Sequence, residues 1–151
     1  MQAIKVLRKD HSTVRSLFDK LERTARSSHE KKNDLFEQIR RELQLHMRAE
    51  EEIFYPALKA FNEEGWRMVA EALKDHRDID QLLTQISRLN PSNKNYEDKV
   101  EALFENVDHH LEEEDGEIFP FAEENCSTQQ LEDLGRQIEE RKKILDRQMA
   151  A

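Results

Sequence analysis

Four histidines and two glutamates occur along the chain with a spacing that suits metal binding. Glu50 follows His46 by four residues, and Glu114 follows His110 by the same interval. Residues four apart lie on one face of a helix, so each pair would present an imidazole beside a carboxylate. Such nitrogen and oxygen donors together suit first-row divalent metals, iron among them. The six candidate metal ligands are His11, His46, Glu50, His76, His110 and Glu114.

The composition predicts that helices carry these residues. The chain of 151 residues contains only three glycines and three prolines, and residues of high helix propensity dominate it. No stretch alternates apolar and polar residues in the manner of a half-buried strand. Clusters of turn-forming residues separate five helical segments. We predict these helices at about residues 3–26, 30–61, 66–89 and 96–124 and from Ser127 onward.

The first half of the chain is repeated in the second. His11, with the apolar residues that follow it at helical spacing, matches His76 about 65 residues later. The two His-x-x-x-Glu pairs match at nearly the same offset. Two similar hairpins predict an all-α, antiparallel up-down-up-down four-helix bundle over residues 1–125. For residues 126–151 we predict an additional C-terminal helix that packs on the bundle or on a partner.

The candidate ligands are predicted to lie at one level of this bundle. In an antiparallel hairpin, two residues are level when their midpoint falls in the connecting turn. The midpoint between His11 and His46 falls in the first turn, and that between His76 and His110 falls at the end of the Asn-Pro-Ser-Asn loop. Burying such polar groups unpaired would cost a few kcal/mol each, which together rivals the stability of a domain. We therefore expect metal ions between them.

Charge and cysteine content exclude several classes of partner. The formal net charge of −9 argues against nucleic acid, whose phosphates require a basic surface. No apolar run approaches the roughly 18 residues that span a bilayer, and the N-terminus lacks a signal-peptide apolar block. The single cysteine, Cys126, cannot form an internal disulfide. These features predict a cytoplasmic protein with no membrane partner, and the oligomeric state, including a homo-oligomer, stays open.

The ordered elements of the sequence resemble a known family. The two Asp-His pairs and the segments HMRAEEEIFYP and HLEEEDGEIFP resemble the hemerythrin-like family, also called the HHE cation-binding domain, over about residues 1–125. The resemblance implies a non-haem centre of two Fe ions, oxo- or hydroxo-bridged, that binds O₂, NO or peroxide. It implies that His11 and His46 bind one iron, His76 and His110 bind the other, and Glu50 and Glu114 bridge them.

One position departs from the oxygen-carrying members of that family. They have a second histidine one turn after the third-helix histidine, where this chain has Asp80. A four-histidine site favours redox chemistry, NO handling, sensing or iron handling over oxygen transport. We predict a protein that binds or reduces small oxidants in an oxidative or nitrosative stress response. The alternative is a non-catalytic sensor of O₂ or iron, or an iron storage or donation module, so enzymatic activity stays open.

Residues beside the candidate ligands are predicted to have structural roles. Tyr55 is expected to pack in the core, with a phenol near the site as the alternative. Glu51 and Asp115 belong to acidic runs that are expected to be solvated, with contact to a metal as the alternative for these two. Asp10 and Asp75 point away from the stripe of their neighbouring histidines, so no hydrogen bond to the site is expected.

The sequence allows more than one role for the two internal prolines and for Asp80. Pro56 and Pro120 lie inside predicted helices and must kink or end them. This bend either adjusts the shape of the bundle or opens a route to the metals. Asp80 is left as a partner of the site or a surface residue, whereas His29 and His109 are expected to be solvated.

Overall fold

The computed structural model describes residues 1–150, and all of its regular elements are helical. The predicted all-α bundle with a further C-terminal helix is confirmed. In two places a π-helical turn joins consecutive α-helices without a break. The elements are α1 (Ala3–Glu22), α2 (His29–Ala49), the first π-turn (Glu50–Phe54), α3 (Tyr55–Lys59), α4 (Glu63–Ser87), α5 (Tyr96–Glu113), the second π-turn (Glu114–Ile118), α6 (Phe119–Asn125) and α7 (Thr128–Ala150).

Each helix buries one apolar stripe, and the stripes form two core clusters. One cluster lies around Leu7, Phe54 and Ile138, and the other lies around Phe36, Ile79 and Leu103. Full burial of one such side chain contributes roughly 1.5–3 kcal/mol. Along every helix of the bundle, the predicted metal ligands fall between residues of the first cluster and residues of the second. The polar layer is thus sealed by apolar side chains above and below.

The final helix packs on the bundle itself. α7 lies against α1, α2 and the first π-turn. Its Leu131 and Ile138 belong to the same core cluster as residues of α1. Where α7 crosses the N-terminus, a Cβ on Gly135 would lie 2.0 Å from the carbonyl oxygen of Met1, so only glycine fits. That residues 1–125 are a separate domain stays a prediction.

Helix caps account for where the boundaries differ from those predicted. The side chain of Asn62 accepts a hydrogen bond from the Gly65 amide at 2.9 Å, so α4 begins at Glu63 rather than near residue 66. A capping box opens α7, with the Ser127 amide 2.8 Å from the Gln130 side chain. Ser28 precedes α2 but makes no side-chain cap.

The two prolines do not end their helices. Pro56 and Pro120 each follow a π-turn, in which the amides of Tyr55 and Phe119 bond to carbonyls five residues earlier, at Glu50 and Glu114. Because proline lacks an N–H and its ring collides with the carbonyl four residues back, the wider turn lets the helix continue. Both candidate bridging glutamates therefore stand at the start of a π-turn.

None of the helices in residues 1–150 combines the length and the hydrophobicity that a membrane-spanning helix needs.

Candidate metal centre

The structure brings all six predicted ligands together. Their side chains converge on the layer between the two core clusters, and each of these residues is only 0–2% exposed. Their donor atoms form two groups, within each of which the atoms lie within 4.8 Å of one another. The groups are His11, His46 and Glu114, and Glu50, His76 and His110.

Both carboxylates contact imidazoles from both halves of the repeat. Oε1 of Glu114 lies 3.0 Å from Nε2 of His11 and 3.5 Å from Nε2 of His110. Oε1 of Glu50 lies 3.2 Å from Nε2 of His46 and 3.3 Å from Nε2 of His76. A carboxylate that reaches donors on both sides is suited to bridge two ions. The other oxygen of Glu50, Oε2, is buried and has no hydrogen-bond partner, which leaves it free for an ion.

The two aspartates that precede ligand histidines orient the imidazoles of neighbouring helices. Oδ2 of Asp10 accepts a hydrogen bond from Nδ1 of His46 at 2.9 Å. Oδ2 of Asp75 accepts one from Nδ1 of His110 at 3.3 Å. This bond fixes the tautomer in which Nε2 is free to bind metal. The expectation that these aspartates make no bond to the site is wrong.

The acidic residues that follow the two glutamates orient the other two imidazoles, those of His76 and His11. Oε2 of Glu51 lies 2.7 Å from Nδ1 of His76, and Oδ1 of Asp115 lies 3.1 Å from Nδ1 of His11. Both carboxylates are partly exposed, as expected of solvated residues, but each also bonds to an imidazole of the site. All four imidazoles therefore hold a carboxylate at Nδ1 and aim Nε2 at the centre.

A regularity in the sequence could have revealed these partners. In both repeats an aspartate precedes the first histidine, and an acidic residue follows the glutamate. Each of these acids bonds to an imidazole of a neighbouring helix and not to the ligand beside it in sequence. Sequence reasoning considered only the face of the acid's own helix and so missed the contact.

Tyr55 belongs to the site. Its hydroxyl donates to Oε2 of Glu114 at 2.8 Å and lies 3.2 Å from Oε1 of Glu50 and 3.3 Å from Nε2 of His76. Burial, and then the charges of Glu114 and Glu50, raise the pKa of Tyr55 well above its usual range, so the phenol stays neutral. The ring packs in the core as expected, and the hydroxyl also reaches the site, which was the alternative. At the matching position, Phe119 stacks on His11 with ring centroids 5.3 Å apart.

Without metal, the carboxylates around His46 and His110 favour the protonated form of these two imidazoles. Burial acts to lower the pKa of His110, yet the charge of Glu114 and the hydrogen bond to Asp75 outweigh it and raise that pKa to about 10. Burial likewise opposes the raised pKa of His46, which Glu50 and Asp10 hold well above its usual range. An ion that binds here must displace these protons.

The donor set fits first-row divalent ions. It offers four imidazole nitrogens and two carboxylates, with no thiolate among them. Asp80 and His29 are exposed and belong to neither group. Burial, and then the charge of Glu51, raise the pKa of Asp80. His109 is exposed as expected, but it lies beside Asp75 and Glu113 in a separate cluster.

Comparison with known proteins agrees with this arrangement. The sequence profile of the Hemerythrin HHE cation binding domain matches residues 2–122. The fold is similar to the crystal structure of a hemerythrin HHE cation-binding domain-containing protein from Mycobacterium kansasii, an Rv2633c homologue. The TM-score is 0.85 at 27% identity, over 97% of this chain and 88% of that one.

Two curated relatives are longer than the region that they share with this chain. A protein of Nostoc sp. named DNA nickase is 32% identical over 127 residues, which is 84% of this chain but 35% of that protein. An uncharacterized hemerythrin-like protein of Schizosaccharomyces pombe is 25% identical over 105 residues, or 69% of this chain and 52% of that one. The resemblance seen in the sequence is confirmed: this chain belongs to the hemerythrin HHE cation-binding domain family.

Proposed function

We propose that this chain is a non-haem di-iron protein that binds or reduces O₂, peroxide or NO, with a role in oxidative or nitrosative stress. The observation that carries the proposal is the convergence of four imidazoles and two carboxylates in one buried layer. The proposed ligands are His11 and His46 for one iron, His76 and His110 for the other, and Glu50 and Glu114 as bridges.

This assignment leaves coordination positions open. Two imidazoles and two shared carboxylate oxygens give each ion about four protein donors, fewer than iron usually takes. Iron bound in this way supplies a reversible change of oxidation state and positions for a small ligand. The apolar clusters above and below exclude bulk water, and the phenol of Tyr55 places a hydrogen-bond donor in the buried layer, 2.8 Å from Glu114 Oε2.

One side of the centre lies close to the surface. A depression lined by Arg8, Ser12, Arg15 and Asp115 reaches His11. The depression gives a small molecule a short approach to the His11 edge. Arg8 and Arg15 lie 4.0 Å and 3.4 Å from the carboxylate oxygens of Asp115, which neutralises part of their charge.

Elemental analysis and visible spectroscopy test the proposal. The purified protein is expected to contain about two iron ions per chain and to change its spectrum on addition of O₂, peroxide or NO. The double variant His46→Ala, His110→Ala should lose the metal, whereas the exposed-histidine control His29→Ala should retain it. A metal-free wild type, another metal in place of iron, or iron retained by the double variant would contradict the proposal.

Turnover assays separate the proposed activities. Steady consumption of peroxide or reduction of NO by the iron-loaded protein supports catalysis. Stoichiometric ligand binding without turnover supports the sensing or iron-handling role. The variant Tyr55→Phe, which keeps the ring and removes the proton donor, shows whether the phenol contributes to the reaction or only to binding.

We also propose that the chain acts in the cytoplasm and does not bind nucleic acid. A net charge of −9 and a lone cysteine support these proposals. The nickase name belongs to a protein of which this chain matches only 35%. Gel-shift and plasmid-nicking assays at low salt are expected to show neither binding nor cleavage, and cleavage lost in the double variant would overturn this proposal.

A further inference from the structure

A second group of metal-binding side chains lies outside the buried centre. Asp75 projects from α4, and His109 and Glu113 project from the same face of α5. Nε2 of His109 lies 3.0 Å from Oε1 of Glu113, and one ligand atom from each of the three residues lies within 4.8 Å of the others. The side chains of Asp75, Glu113 and His109 are 23%, 33% and 65% exposed. We call them the peripheral cluster.

The internal repeat shows that this cluster is specific to one half of the molecule. The positions that match His109 and Glu113 in the first half are Leu45 and Ala49, and both are buried. α2, which carries them, is covered by α7. An imidazole and a carboxylate thus replace two apolar side chains where the second half faces solvent.

The charge of the aspartate is compensated differently in the two halves. In the first half, Asp10 forms an ion pair with Lys142 of α7. Its counterpart Asp75 forms no ion pair with a lysine or arginine within residues 1–150, and neither does Glu113. Two carboxylates and an imidazole therefore converge in the second half at the place where an ammonium stands in the first.

We propose that the peripheral cluster is a binding site for a first-row divalent cation, such as Zn²⁺ or Fe²⁺. One imidazole nitrogen and two carboxylate oxygens are donors that such ions accept, and water would complete the coordination. In the second half, the ion would lie beside Asp75 as the Lys142 ammonium lies beside Asp10 in the first half. Exposure makes the site exchangeable and weaker than the buried centre.

The peripheral ion is coupled to the buried centre through one carboxylate. Oδ2 of Asp75 accepts the hydrogen bond from Nδ1 of His110 at 3.3 Å. A cation on Asp75 withdraws charge from that carboxylate and makes the imidazole of His110 a weaker donor to the buried ion. Occupancy of the surface site therefore changes the electronic state of the centre, a consequence that rests on the proposed function.

Zn²⁺ titration of the protein as purified tests the site. Wild type is expected to bind about one more Zn²⁺ per chain than His109→Ala or Glu113→Gln, measured by calorimetry and equilibrium dialysis. His29→Ala, an exposed histidine on α2, is the matched control and should bind Zn²⁺ as wild type does. Equal Zn²⁺ binding by wild type and both cluster variants would overturn the proposal, as would an equal loss in the control.

A spectroscopic titration tests the coupling separately. Zn²⁺ added to the iron-loaded wild type should shift the visible spectrum of the buried centre, and the same addition to His109→Ala should not. Zn²⁺ binding without a spectral shift would overturn the coupling and leave the site intact. A protein that holds no iron would contradict the proposed function instead, while the difference in Zn²⁺ stoichiometry between wild type and variant would still test the cluster.

Discussion

The two halves of the repeat offer the same ligands in different surroundings. In the first half, residues 3–59, α7 covers the outer face. Ion pairs connect α7 to this half, such as the one between Arg141 and Glu52 at 2.7 Å. In the second half, residues 63–125, the matching face is open and carries the peripheral cluster. The repeat therefore preserves the candidate donors and the acids that orient them, while the outer layer differs between the halves.

Removal of one ligand imidazole from either half should have the largest effect. We expect His46→Ala and His110→Ala each to lower the metal content and to reduce the free energy of unfolding by about 3–5 kcal/mol, because buried carboxylates lose a partner and an ion. Elemental analysis and thermal unfolding measure this, with His29→Ala as the exposed control. Full metal retention in one of the two variants would break the equivalence of the halves.

The affinity for metal should rise with pH. The raised pKa values of His46 and His110, the latter about 10, mean that these two imidazoles hold protons at neutral pH when no metal is bound. Each proton must leave before the nitrogen binds an ion, so affinity should increase up to about tenfold per pH unit for each proton displaced. Chelator competition between about pH 6 and 9 measures this. An affinity independent of pH would show that the imidazoles are already neutral.

The aspartates that orient the imidazoles should have intermediate effects. We expect Asp10→Asn and Asp75→Asn to weaken metal binding by about 10–100-fold, because the imidazole loses a charged acceptor. The effect of Asp10 should be the larger, since it is more deeply buried and also binds Lys142. Metal titration of both variants shows which one loses more affinity. A larger loss in Asp75→Asn would indicate that the peripheral cluster affects metal binding more than the ion pair with Lys142 does.

The phenol at the centre should have the smallest of these effects. Tyr55→Phe should reduce the free energy of unfolding by about 1–2 kcal/mol, because a buried carboxylate loses its donor. Tyr96 is the matched control, since its hydroxyl is buried without a hydrogen-bond partner and Tyr96→Phe should be nearly neutral. Equal losses in the two variants would mean that the bond to Glu114 contributes nothing.

The bundle and the convergence of the six ligands were predictable because both depend on strong, local signals. The helical period places His11 and His76 on apolar stripes, and the turns place the paired helices in register. That these residues ligate iron stays a prediction. The polar partners at Nδ1 were missed because they depend on the packing angle between helices, which the period of a single helix does not determine.

The position of Tyr55 at the site was only an alternative in the sequence, for a different reason. It lies five residues after Glu50, a spacing that points away from the glutamate on an α-helix but shares its face across a π-turn. Pro56, the residue after Tyr55, was the sequence signal for the π-turn, because a proline inside a helix disrupts the regular backbone hydrogen bonds. The location of α7 was left open because an amphipathic stripe requires a partner without identifying it.

X-ray absorption spectroscopy at the iron edge distinguishes a bridged pair of irons from an isolated ion. We expect each iron in the purified protein to have nitrogen and oxygen neighbours only, with a second iron beyond them, because both halves supply equivalent donors to the proposed bridged pair. An isolated iron with no iron neighbour, or sulfur in the first coordination sphere, would contradict it.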